Sequence, residues 1–124
     1  MKIATIIART LLGLIFVVFG SNAFLHFIPM PPPPDGFAGD YMNALFMSHY
    51  FYVVAVTQVA GGLIVLSGRF TALGLTLLAP VIVNILCYHI FLNHVGWQLA
   101  SAVAALELFL LWRNRAAFAG LLKA

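Results

Sequence analysis

The sequence predicts an all-α integral membrane protein: a four-helix bundle with a Pro-rich outer loop and a short interfacial amphipathic helix between its first two spans. Three observations predict it. The 124 residues are 64% hydrophobic and 7% charged, against about 25% charged in a soluble domain, which leaves too little polar surface to coat a water-soluble fold. The apolar residues fall into four runs, each near the ~20 residues that cross a bilayer. The basic residues Lys2, Arg9, Arg69, Arg113, Arg115 and Lys123 gather near the ends of runs and in one loop, as cytoplasmic topology markers do. A single transmembrane domain, 1–124, accounts for the whole chain. The net charge of +3 is spread over short segments, so it reports orientation and excludes nucleic-acid binding, which needs a clustered basic surface.

The first span is expected over residues 3–28, long enough to cross with some tilt. Pro29, Pro31, Pro32, Pro33 and Pro34 then stop it, because proline lacks the N–H a helix needs and favours an extended segment. Lys2, the apolar stretch and Ser21, Asn22 and Ala23 also suit a cleavable signal peptide. Against that, the apolar run continues through Phe24, Leu25, Phe27 and Ile28, and Arg9 interrupts it. Over 37–48, Phe37, Ala38, Tyr41, Met42 and Leu45 recur at helical spacing while Asp40, Asn43 and Ser48 are polar, the pattern of an interfacial helix.

His49, Tyr50, Phe51 and Tyr52 form an aromatic belt opening the second span, 50–66. Ser67, Gly68 and Arg69 turn the chain into the third, 70–92, which Pro80 should kink. Asn93, His94, Val95 and Gly96 make an outer turn, and the fourth span, 97–112, carries Trp97 and Trp112 at its ends. The positive-inside rule puts both termini in the cytoplasm, with the proline loop and the 93–96 turn outside.

Two polar levels fall inside the spans. Arg9 lies about 9 Å into the first helix and Glu107 about 9 Å before Arg113 in the fourth. Arg9 shares a stripe with Gly13, Phe16 and Gly20, and Glu107 with Ala100 and Ala104, small residues that let helices approach. An isolated charge at that depth costs about 2.5–3.5 kcal/mol, so an intramembrane ion pair between Arg9 and Glu107 is expected. It would either clamp the bundle or form a proton or anionic-headgroup site. Nearer the outer face, Gln58 shares a face with Gly61 and Gly62, and Asn84 comes to a similar height from the other side. A Gln58–Asn84 hydrogen bond is the simplest outcome, serving as interhelical glue or as the polar lining for a small ligand or quinone headgroup.

Asn22, His26 and His89 are further polar residues toward the outer face. His26 and His89 fall on faces that do not suit joint haem ligation, His49 and His94 belong to interface and turn, and no zinc or haem-attachment spacing is present. No metal or resident cofactor is expected; a quinone is the one cofactor worth testing. Cys87 has no partner cysteine and reads as a small buried hydrophobe. Pro31, Pro32, Pro33 and Pro34, with Phe37 and Tyr41, either hold the interfacial helix at a set distance or dock on the aromatic groove of a partner.

The ordered motifs Ala8, Arg9, Leu12, Gly13, Phe16 and Gly20; His26 to Pro31; Gln58, Gly61 and Gly62; Arg69 and Phe70; and Ala79, Pro80, Val81, Val83, Asn84, Tyr88 and His89 span almost the whole chain. In these it resembles the DoxX family of small four-span membrane proteins. The resemblance implies a bacterial inner (plasma) membrane location and, for some relatives, association with quinol- or thiosulfate-oxidising respiratory complexes. The chain departs from a pattern of that family in having no lysine in Gly20 to Ala23.

Without a complete catalytic constellation, the expected role is a non-catalytic or accessory component of a membrane complex, partnered by the bilayer and by other membrane proteins or a second copy of itself. A quinone- or sulfur-linked oxidoreductase subunit and a small-solute or lipid carrier are the alternatives.

Overall fold

Residues 2–29 and 32–122 are described by a computed structural model of the chain. Among them every regular element is helical: α1 (Lys2–Leu25), α2 (Phe37–Met47), α3 (Tyr50–Ser67), α4 (Thr71–Cys87), a π-helical turn (Tyr88–Leu92), α5 (Trp97–Arg113), α6 (Arg115–Phe118) and a closing 3₁₀ turn (Ala119–Leu122). Among the described residues three stretches are long and apolar enough to cross a membrane: α1, α3, and α4 together with its π-helical turn, with mean hydropathies of 2.2, 1.7 and 2.1. Helix α5, at 17 residues, is slightly shorter.

The long helices close into a ring in which α1 packs on α3, α3 on α4, α4 on α5 and α5 back on α1. Consecutive members run antiparallel. Gly13 of α1 meets Leu66 near the end of α3, whereas Phe24 stacks on Tyr52 at its start, centroids 5.2 Å apart. The side chain of Arg113, at the end of α5, bonds to Thr5 at the start of α1. Leu12, Phe16, Val65, Leu75, Leu78, Val103 and Leu110 fill the centre. Outward face the equally apolar Ile7, Leu14, Val53, Val56, Leu63, Leu73, Val83 and Leu108, an arrangement that suits hydrocarbon rather than water on the outside.

Glycine sets the helix spacing. Gly13 and Gly62 sit against one another's backbone carbonyls across α1 and α3, while the neighbouring Gly61 faces Gly74 and Leu78 of α4. Two adjacent glycines thus serve two different interfaces, because successive residues on a helix diverge by about 100°.

Helix ends follow the punctuation in the sequence. His26 takes φ of 52° and donates its N–H to the Asn22 carbonyl at 2.9 Å, a left-handed stop that keeps Pro29 out of the helix. The first span therefore ends at Leu25, short of residue 28. Pro32, Pro33 and Pro34 are exposed and irregular, whereas Met30, Pro31 and Lys123 lie outside the described residues. Gly39, in the first turn of α2, rests on the Pro34 carbonyl with no room for a Cβ, which seats the proline segment on α2. The third span keeps α-helical pairing to Cys87; beyond it the Asn93 N–H reaches back five residues to the Tyr88 carbonyl at 2.9 Å. Phe70, with φ of 57°, begins α4 in a conformation strained for a bulky side chain, and the Arg69 guanidinium lies 5.9 Å over its ring.

Candidate functional site

Glu107 is the most conspicuous polar residue of the interior. It lies on the buried stripe of α5 with Ala100, Val103 and Leu110. It is 4% exposed, and among the described residues neither carboxyl oxygen has a hydrogen-bond partner.

The expected ion pair with Arg9 is not formed. Arg9 instead directs its guanidinium to the α3–α4 turn, where Nη2 lies 3.1 Å from the position a Gly68 Cβ would take, and its buried Nε is unpartnered. The reason is the direction of side chains on a helix. Each Cα–Cβ bond leans toward its own N-terminus, and α1 and α5 are antiparallel. Arg9 therefore leans to the end that carries Thr5, and Glu107 leans the other way. Equal depth along two antiparallel helices carries such a pair apart.

The expected Gln58–Asn84 bond is also replaced. Gln58, 8% exposed, faces α1, its Cβ 3.0 Å from where a Gly20 Cβ would stand. Asn84 points out of the ring toward α2, where its Nδ2 donates to the Tyr41 hydroxyl at 2.5 Å. The Tyr41 and Tyr88 rings lie 5.5 Å apart. With Cys87, Phe91 and Leu92, these residues line a recess of about 240 Å³. Cys87 is exposed on that outer side, which corrects its reading as buried: it lies three residues past Asn84, on the part of α4 that looks away from the ring. Helical spacing places Tyr41 on the docking helix but gives no sign of Asn84, because the partners are 43 residues apart.

Asn22 and the two outer histidines act locally. Asn22, 5% exposed, accepts from the Ile28 N–H at 2.7 Å through Oδ1 and donates to the Ile28 carbonyl at 3.3 Å through Nδ2. It thereby closes the chain reversal after α1. His26 is exposed at the reversal. His89 Nδ1 lies 3.2 Å from the Asn93 carbonyl oxygen, beside Gly96. Asn22→Ala leaves the Ile28 N–H without its partner, so a loss of about 1–2 kcal/mol is expected. Thermal unfolding in detergent checks it, and faster proteolysis near Pro32 should accompany it.

Among the described residues no three His, Cys, Asp or Glu side chains converge as a metal centre would require. A groove of about 450 Å³ runs between α1 and α3 and is lined by Phe24, Leu25, Val56, Val59, Ala60 and Leu63, with Ser21 as its one hydroxyl. Its chemistry suits an acyl chain. At the opposite end, Arg113 Nε donates to Thr5 Oγ1 at 3.1 Å, and the guanidinium carbons of Arg113 and Arg115 lie 5.8 and 5.1 Å from the Trp112 ring centroid. Compared with family models, with curated proteins and with solved structures, the chain shows no significant match.

Proposed function

We propose that this chain is a four-span bacterial inner-membrane protein of the DoxX type, with α5 as its fourth span. It acts as an accessory component of a membrane complex, possessing no activity of its own, and docks on another membrane protein through the proline segment and α2. The ordered motifs from Ala8 to His89 support the type. The orientation, both termini cytoplasmic, is supported by charge: Lys2, Arg9, Arg69, Arg113 and Arg115 gather at one end of the bundle, and Asp35 and Asp40 lie toward the other.

The docking reading is carried by how α2 is mounted. Its inner side is fixed by buried Ala38 and Gly39, by the Tyr41–Asn84 bond and by Phe46 against Phe51 at 4.4 Å. Phe37 and Met47 nevertheless stand 81% and 75% exposed. A helix held this firmly presents its outer residues at little entropic cost to a partner. A photo-crosslinking amino acid at Phe37, in native membranes, should yield a discrete protein adduct that disappears when Pro32 and Pro33 are deleted; adducts with lipid alone would refute docking.

One observation favours a second reading, a quinone-linked redox subunit: the recess at Tyr41, Asn84 and Tyr88 combines aromatic walls with an amide and a hydroxyl. That reading requires quinone-dependent reductase activity in membranes containing the protein and its loss in Asn84→Leu.

A further inference from the structure

We propose that the end of the bundle bearing Arg9, Arg69 and Arg113 is a binding site for the phosphate of an anionic phospholipid. The two central guanidinium groups come from different helices, and both lie at the N-terminal end of α1. Thr5 and Arg9 are four residues apart and so lie one above the other. Arg113 is tied to Thr5 by its Nε at 3.1 Å, leaving its terminal nitrogens available. Arg9, leaning toward the N-terminus of α1, brings its own fork down beside the α3–α4 turn at Gly68, with Arg69 next in that turn.

Among the described residues the cluster has no counter-charge: the acids are Asp35 and Asp40, toward the other end, and Glu107, which neither Arg9 nor Arg113 reaches. Arg9 retains a buried, unpartnered Nε even in the position where it has settled. Planar guanidinium forks pair bidentately with phosphate oxygens, and basic pockets between spanning helices are where anionic headgroups lodge. Trp112 flanks the site against Arg113 and Arg115, the amphipathic ring expected at headgroup height. A phosphodiester here would meet the terminal nitrogens of the two forks, its acyl chains lying along the outward apolar faces.

That the inner leaflet supplies the lipid rests on the orientation proposed above; binding itself does not, so the two fail separately. Native mass spectrometry of the full chain in detergent, titrated with phosphatidylglycerol, phosphatidylcholine or inorganic phosphate, tests binding. A labelling reporter at residue 68 tests orientation. Phosphatidylglycerol should bind about tenfold or more above phosphatidylcholine, two basic contacts at a membrane surface being worth about that much. Arg9→Gln and Arg113→Gln should each erase most of that preference, and Arg115→Gln should leave it. Thr5→Val keeps every charge and releases Arg113, and should also weaken binding, which a merely electrostatic attraction would not show. Equal binding of the two lipids overturns the proposal, as does an equal loss in Arg115→Gln. Full displacement by inorganic phosphate would make the site one for a free anion and overturn its lipid assignment.

Discussion

Replacing Gly62 with valine is expected to force α1 off α3 and cost about 2–3 kcal/mol. A Cβ at Gly62 would stand 2.9 Å from the Gly13 carbonyl oxygen, 2.9 Å from Val17 Cγ2 and 3.1 Å from the Val17 nitrogen. Two of those three atoms are backbone and cannot rotate aside. The contact is reciprocal, since a Cβ on Gly13 would meet the Gly62 carbonyl at 2.9 Å and Leu66 Cγ at 2.5 Å. Between helices in lipid there is no hydrophobic drive to restore the contact, because acyl chains are as apolar as leucine; close packing is what association depends on. Neighbouring positions grade the effect. At Gly61 the atoms nearest a new Cβ belong to the Leu78 side chain, at 2.8 Å, with the Gly74 carbonyl farther off at 3.3 Å. Gly61→Ala should therefore cost only about 1 kcal/mol, the low end of overpacking. Gly120 has nothing within 4 Å, so Gly120→Ala should be neutral. Unfolding titrations in mixed micelles will rank the three, and a Gly62→Val protein as stable as Gly120→Ala would mean that α1 and α3 do not meet at these glycines.

Much of the backbone was legible because this sequence punctuates its helices strongly. Pro29 with the prolines after it, Ser67 to Arg69, and Asn93 to Gly96 each stand at a boundary the structure also makes, and the helical spacing around Tyr41 marks α2. The side chains were less legible, for a single physical reason. Spacing along a helix gives depth and stripe, but it does not say which neighbouring helix a stripe will face or which way a long side chain leans. Gly61 and Gly62 were read as one small-residue patch and belong to two interfaces. Gln58 and Asn84 matched in height and face different helices. Arg9 and Glu107 matched in depth and lean apart, a consequence of the antiparallel arrangement that could have been drawn from the predicted topology together with the tilt of Cα–Cβ bonds.

Glu107→Leu should raise stability by about 2–3 kcal/mol. With α5 as the fourth span proposed above, an acid near its middle costs about 2.5–3.5 kcal/mol on insertion scales and leucine gains a few tenths; some of the difference returns as crowding, of order 1 kcal/mol, since Val103 and Leu110 beside it are already buried. The sign is the informative quantity. Had Arg9 been its partner, removing the acid would strand a buried cation and destabilise the protein by about 3–5 kcal/mol. A double-mutant cycle with Arg9→Met sharpens the comparison: energies additive within about 0.5 kcal/mol fit side chains that do not touch, whereas a coupling above about 1 kcal/mol would restore the pair. Glu107→Gln, close in shape, separates charge from packing. A buried carboxyl without a hydrogen-bond partner among the described residues is a candidate for function inside a bundle. On the docking reading proposed above, the stabilised Glu107→Leu protein should lose the protein adduct at Phe37, although Glu107 lies inside the bundle and Phe37 on α2; a full yield of that adduct would leave Glu107 without a part in the interaction.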